Sequence, residues 1–260
     1  MPNVIASDGA QLGYRTFGTG DNVIILIHGW MVSGVVYDDL LKVWTPDARL
    51  IIPDLRGSGT SAKPDHGYSI QRYADDVLAI ADAEGASKFI VVGHSMGGQI
   101  AQYLAATHPT RITGEVLFCP VPASGVPLPE PVVQLFGTSG QDREKQRSIL
   151  NMACRELQHE SLERLLDDAG RIPAACIRES FDAWRAGGFE SKLDQIRCPT
   201  LVTATDDPFL PPAILQQTVV SRIRGARLAV LPGPGHYVQV ERPAQTAALL
   251  QAFLAGCQAN

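Results

Sequence analysis

The stretch Phe89-Ile90-Val91-Val92-Gly93-His94-Ser95-Met96-Gly97-Gly98 drives four apolar residues, three of them β-branched, into a glycine-flanked turn with one serine at its apex. Good helix formers follow at once, Gln99-Ile100-Ala101-Gln102-Tyr103-Leu104-Ala105-Ala106, so the segment reads as strand, tight turn, helix. Gly93 and Gly97 frame Ser95 at the G-x-S-x-G spacing, in which the serine is held in a strained backbone conformation that lifts its hydroxyl above a sheet. Side chains at the two glycine positions would collide across so tight a turn. The geometry is that of a nucleophile.

Outward from this stretch, strands alternate with helices. Residues 4–6, an Asp8-Gly9 turn and residues 11–17 read as an opening hairpin, and residues 23–28 as a fully buried strand. Further short apolar runs lie at 49–53, 115–119, 200–204 and 227–231. Helical patterns cover 36–44 and 70–84, the latter with Tyr73, Val77, Ile80 and Ala81 on one face. The alternation predicts an α/β fold with a mostly parallel sheet covered by helices on both sides. Residues 123–192 break the rhythm. They open with Pro120, Pro122, Pro127, Pro129 and Pro131 and continue as helical, charge-rich sequence without a convincing strand. They are expected to form a helical cap, leaving 1–122 and 193–260 as the core domain. Of the cap's large apolar groups (Leu135, Phe136, Met152, Phe181, Trp184, Phe189), some are expected to face a pocket.

A net charge of -5 and a pI near 5.7, with no basic stripe, argue against nucleic acid as a partner. The five cysteines share no CxxC or CxxH spacing, so neither a disulfide framework nor a metal site is expected, and buried free thiols are the plain reading. The longest aliphatic run, residues 23–27, is too short to span a bilayer. The expectation is a soluble, reduced, cytoplasmic protein with no membrane partner.

A serine hydroxyl needs a general base, and the base needs a carboxylate to fix its tautomer. Leu231-Pro232-Gly233-Pro234-Gly235-His236 places one histidine in a loop after an apolar run, and Thr205-Asp206-Asp207-Pro208 places adjacent acids after another. Serine, acid and histidine thus fall where strands end, which is where open α/β sheets carry their chemistry.

Five motifs in order make the chain resemble the α/β-hydrolase superfamily, closest to its capped serine esterase and haloperoxidase-like branch. They are His28-Gly29-Trp30, Asp54-Leu55-Arg56-Gly57-Ser58-Gly59-Thr60-Ser61, the serine elbow, Asp207 with Pro211, and Gly235-His236 with Glu241 and Pro243. The resemblance covers nearly the whole chain. It implies a sheet of about eight strands with the cap inserted after the sixth. It also implies Ser95 as nucleophile, His236 as base and Asp207 as the orienting acid. Asp206 competes for that last place; the spacing of four residues to Pro211 selects Asp207, and Ala204, where the family often has glycine, leaves the loop path open. Backbone N–H groups of Trp30 and Met96 are implied as the oxyanion hole.

The other histidines and charges are expected to be structural. His28 is read as bracing the loop after its strand, His94 as packing behind the elbow, and His66, His108 and His159 as surface or helix-end residues. Asp54 and Arg56 are read as a loop brace, and Asp75-Asp76 as a solvated helix face.

The reaction implied is cofactor-free hydrolysis of a small carboxylic ester or lactone, acylated homoserine lactones included. A serine at position 95 argues against the carbon-halogen and epoxide chemistries of aspartate relatives. Met31, where peracid-forming relatives often carry proline, makes peracid synthesis a side activity at most. A small-ligand receptor or a cofactor-free oxygenase on the same fold are the alternatives of another class. Oligomeric state is not legible.

Overall fold

The computed structural model describes residues 1–258. In chain order these form β1 (Asn3–Ile5), β2 (Gln11–Phe17), β3 (Val23–Ile27), α1 (Asp38–Leu41), β4 (Arg49–Pro53), α2 (Ile70–Ala83), β5 (Phe89–His94), α3 (Met96–Thr107) and β6 (Ile112–Phe118). Four helices then follow without a strand: α4 (Glu130–Gly137), α5 (Arg143–Ala153), α6 (His159–Ala169) and α7 (Ala174–Ala186). The chain returns with β7 (Thr200–Ala204), α8 (Pro212–Thr218), β8 (Arg227–Val230), α9 (Val238–Glu241) and α10 (Pro243–Gln258).

One eight-stranded sheet runs in the order β1-β2-β4-β3-β5-β6-β7-β8. The β1/β2 and β2/β4 pairs are antiparallel and all others parallel. Every residue of β3 is buried, as a strand covered on both faces requires. The order reverses at β3: β4 lies on one side of it and β5 on the other. That places the loops after β3 and β5 at the topological switch point, where a crevice opens.

Three local expectations need correcting. The helix expected over 36–44 shrinks to a 3-10 turn, Gly34–Tyr37, and the single turn of α1, consistent with β-branched Val35 and Val36 at its start. The proline-rich stretch hides α4, which takes Pro131 into its first turn, where a missing N–H costs nothing. Asp76 is not on a solvated face. It is 2 % exposed and its carboxylate receives Arg56 Nε at 2.6 Å and Nη2 at 2.7 Å, whereas Asp75 is exposed. The Tyr73, Val77, Ile80 and Ala81 face is buried as expected.

The five cysteines are free, four of them buried. Among the described residues no helix is long and apolar enough to cross a membrane.

Candidate active site

Ser95 sits between β5 and α3 with φ 55° and ψ −118°, a conformation that a side-chain-bearing residue rarely adopts. Two close approaches impose it. A Cβ on Gly93 would come within 2.3 Å of Gly97 O, and one on Gly97 within 2.2 Å of Ile27 O. The elbow therefore packs directly on the end of β3. Ser95 N donates to Phe118 O at 3.0 Å and its carbonyl accepts from Val121 N at 3.0 Å, which ties the apex to β6 and to the loop leaving that strand.

The loop leaving β7 brings Asp207 to His236. Asp207 Oδ2 lies 2.6 Å from His236 Nδ1, while its Oδ1 accepts Phe209 N at 2.8 Å. A carboxylate only accepts, so Nδ1 carries the imidazole proton and Nε2 keeps its lone pair on the opposite edge of the ring. Asp207 is 1 % exposed. Asp206 is exposed and turns elsewhere: its Oδ2 accepts Gly233 N at 2.9 Å. Despite Ala204, the strand runs regularly to its end, with Leu231 N donating to Ala204 O and Asp206 N to Pro234 O.

Ser95 and His236 open on the same cavity, an empty volume of about 550 Å³ walled by Trp30, Val121, Val126, Leu128, Phe136, Ile149, Trp184, Phe209, Leu210 and Tyr237, with Ala153. Its lining is apolar apart from these two polar groups, the character of a small-molecule site. The Trp30 indole stacks on Phe136 with centroids 5.3 Å apart, and Phe136 in turn meets Phe209 edge-on at 5.7 Å. Of the apolar groups singled out in residues 123–192, Phe136 and Trp184 line the cavity. Phe181 lies one layer behind against Trp30, Phe189 packs on Tyr103, Leu135 is half-buried on the core, and Met152 is exposed. Phe209 and Tyr237 escaped the sequence reading although each is within two residues of Asp207 or His236.

Trp30 and Met96 come together around a second, smaller void of about 220 Å³ that also touches Gly29. A Cβ on Gly29 would stand 3.1 Å from Ser95 Cβ, so the loop after β3 runs against the serine. His28 fixes that loop. Leu55 N donates to its Nε2 at 2.9 Å, which leaves Nδ1–H to donate to Gly29 O at 2.8 Å. The Gly29 carbonyl and the Trp30 N–H belong to one planar trans peptide and point opposite ways, so holding the carbonyl aims the N–H away from His28. Complete burial pushes the His28 pKa down, in keeping with a neutral ring. Met96 is the first residue of α3, whose N–H has no intrahelical acceptor.

His94 is fully buried behind the elbow, and burial drives its pKa well below the ordinary range. Its Nε2 lies 3.0 Å from His236 O; a carbonyl only accepts, so Nε2 carries the proton. His66 and His159 are exposed, and His108 caps the end of α3. Asp54 braces its loop by accepting Gly34 N at 3.0 Å and Thr60 N at 2.8 Å.

The helical segment reaches each part of this arrangement. Ser33 donates to Asp168 of α6 through both its N–H (2.6 Å) and its hydroxyl (2.9 Å). Trp30 Nε1 donates to Ile177 O of α7 at 2.9 Å, and Gln99 Nε2 of α3 to Trp184 O at 3.1 Å. Asp168 gave no sign of this in the sequence, lying in a charged helical stretch.

Comparison with known proteins agrees with this architecture. Residues 24–249 match the alpha/beta hydrolase family. A non-heme haloperoxidase of Rhodococcus erythropolis is 30 % identical over 255 residues, covering 91 % of this chain and 93 % of the relative. Among solved structures, an N-acyl homoserine lactone degrading enzyme superposes with a TM-score of 0.81 at 28 % identity, covering 97 % of this chain and 100 % of its own. A putative aryl esterase from Burkholderia cenocepacia superposes with a TM-score of 0.88 at 25 % identity, covering 100 % of this chain and 99 % of its own.

Proposed function

The chain belongs to the alpha/beta hydrolase family, and from that premise we propose that it is a serine hydrolase of small carboxylic esters or lactones, acting through an acyl-enzyme. The observation that carries the reading is that a serine in a strained, glycine-framed elbow and a histidine oriented by a buried aspartate face one apolar cavity.

In the proposed cycle Ser95 Oγ attacks the ester carbonyl while His236 Nε2 takes its proton. Asp207 stabilises the imidazolium through Nδ1. The tetrahedral oxyanion is received by the backbone N–H groups of Trp30 and Met96, each worth on the order of 3 kcal/mol of transition-state stabilisation. Collapse expels the alcohol, which takes the proton from Nε2. Water then loses a proton to the same nitrogen and attacks the acyl-serine, and the second tetrahedral species collapses to release the acid while Nε2 returns the proton to Ser95 Oγ. In this scheme residues 123–192 serve as the cap that closes the apolar cavity, on a core of 1–122 and 193–260. The aromatic and aliphatic walls suit an apolar acyl or alcohol group.

Lactone opening is the same reaction on a cyclic ester, and the likeness to an N-acyl homoserine lactone degrading enzyme favours including it. The test is hydrolysis of short- and long-chain p-nitrophenyl esters and acylated homoserine lactones by the parent and by Ser95→Ala. Turnover that vanishes in Ser95→Ala is expected. Turnover that survives it, or no turnover by the folded parent on any substrate, overturns the proposal.

A further inference from the structure

Glu241 lies at the end of α9, five residues past His236, and the reaction scheme gives it no part. Its carboxylate nevertheless gathers four backbone N–H groups from two separate segments. Oε2 accepts Gly235 N at 3.0 Å, Arg155 N at 2.8 Å and Glu156 N at 2.7 Å, and Oε1 accepts Tyr237 N at 3.2 Å. Two of the four donors flank His236, and the other two lie just beyond the end of α5. The N–H between the flanking pair, that of His236 itself, donates to Ala153 O at 2.9 Å. Three successive N–H groups of the histidine loop are thus consumed by one carboxylate and by the segment that the same carboxylate binds. The contact between the two segments is close: a Cβ on Gly235 would stand 2.2 Å from Ala153 O and 2.8 Å from Cys154 Cα.

We infer that Glu241 is a positioning residue for the reaction proposed above, clamping the His236 loop to the helical segment so that the imidazole stays aligned with both Ser95 and Asp207. Hydrogen bonds to an ionised acceptor are stronger than neutral ones, and three of the four donors converge on Oε2 alone, one more than its two lone pairs, so the cluster needs a charged oxygen. In Glu241→Gln the acceptor is neutral and has one oxygen: placed at Oε2 it sets its NH₂ against Tyr237 N–H, and placed at Oε1 against the other three donors, so the clamp is weakened in either orientation. The ring is then free to shift, and a displacement of about 1 Å at a reacting centre costs on the order of 10²-fold in rate. A neighbouring link separates this role from simple attachment of the helices. Arg242 pairs with Glu156 across the same boundary but bonds nothing in the histidine loop through its side chain.

This inference rests on the serine hydrolase reading, and the experiment separates the two. The parent, Glu241→Gln, Glu241→Asp and Arg242→Met are reacted with a fluorophosphonate, and both the rate of phosphonylation and the number of sites titrated per chain are measured, with kcat and KM on an ester. Glu241→Gln is expected to lose roughly ten- to a hundred-fold in kcat and in phosphonylation rate, with KM within about twofold and one site still titrated per chain. Glu241→Asp, whose carboxylate is withdrawn by one methylene, is expected to fall in the same direction and stands in if the glutamine variant does not fold. Arg242→Met is expected to match the parent. A Glu241 variant that reacts at the parental rate, or whose loss is entirely a loss of titratable sites, assigns Glu241 to folding alone and overturns the inference. A parent that is not phosphonylated at Ser95 overturns the hydrolase reading, and this one falls with it.

Discussion

Glu115 is an acid in the centre of the sheet. It lies on β6, pairs in register with Val91 on one side and Thr200 on the other, and is fully buried. Thr200 Oγ1 donates to its Oε2 at 3.1 Å, and Oε1 has no partner. Burial raises its pKa from 4.5 to about 8, with the Thr200 hydroxyl opposing in part. Between those two values the folded chain holds a proton that the unfolded chain has released. Stability therefore falls as pH rises from 4.5, and the loss is complete once pH passes about 8. At about 1.4 kcal/mol per pH unit the full span is on the order of 5 kcal/mol, of which local relaxation can remove up to about half. Glu115→Gln mimics the protonated acid: its oxygen keeps the Thr200 bond and its NH₂ takes the unpartnered position. The variant is expected to match the parent near pH 4.5 and to exceed it by roughly 2 to 5 kcal/mol at pH 8. Urea unfolding of both proteins at pH 4.5, 6 and 8 measures the difference, with other titrating groups cancelling. A stability difference that is the same at all three pH values would refute the reasoning.

Two more outcomes rest on single contacts. Asp76→Asn leaves the buried Arg56 guanidinium with the exposed Asp8 as its remaining charged partner among the described residues, so a loss of about 3 to 5 kcal/mol is expected in urea unfolding at neutral pH; a loss under 1 kcal/mol would show that the guanidinium is rehydrated instead. Trp30 alone borders both the 550 Å³ cavity and the 220 Å³ void. Trp30→Leu keeps the backbone N–H while joining the two spaces, so kcat/KM over a series of p-nitrophenyl esters is expected to peak at a longer acyl chain than in the parent, and an unmoved peak counts against the partition.

What the sequence made legible divides along physical lines. The serine elbow could be read because its constraint is local: three glycines and a strand-to-helix switch fall within ten residues, and the close approaches at Gly93 and Gly97 require no side chain there. The mostly parallel sheet followed from the alternation of the two hydrophobic periods, whereas the order β1-β2-β4-β3-β5-β6-β7-β8 is written in no spacing of residues. Asp76 could have been placed. It is three residues from Tyr73 and four from Ile80, on the face that the apolar pattern assigns to the core. The cavity wall was legible only as a set of large apolar groups that held Phe136 and Trp184 without distinguishing them, because Val126, Phe136, Ile149 and Trp184 arrive from separate loops and helices and share no spacing. Asp168 was illegible, and Glu241, singled out only as part of the histidine motif, was given no role, for a related reason. Their partners are backbone N–H groups at Ser33, Arg155, Glu156, Gly235 and Tyr237, and a backbone donor leaves no mark on residue identity.

That last point bears on how the proposed chemistry is held together. Ser95, the loop of Trp30 and the loop of His236 leave three different strands, β5, β3 and β8, and the sheet fixes only where each begins. Beyond the sheet each arm meets the helical segment: Gln99 behind the serine bonds Trp184 O, Trp30 bonds Ile177 O while Ser33 bonds Asp168, and His236 N bonds Ala153 O. A segment that only covered the cavity would need apolar contact and no such bonds. Here α5 and α7, which supply Ile149, Ala153 and Trp184 to the wall, also carry acceptors that hold the loops of the proposed catalytic groups. Substitutions that loosen α5, α6 or α7 should therefore reach the rate as well as the choice of substrate, because the cavity's shape and the alignment of the proposed catalytic groups depend on one set of hydrogen bonds.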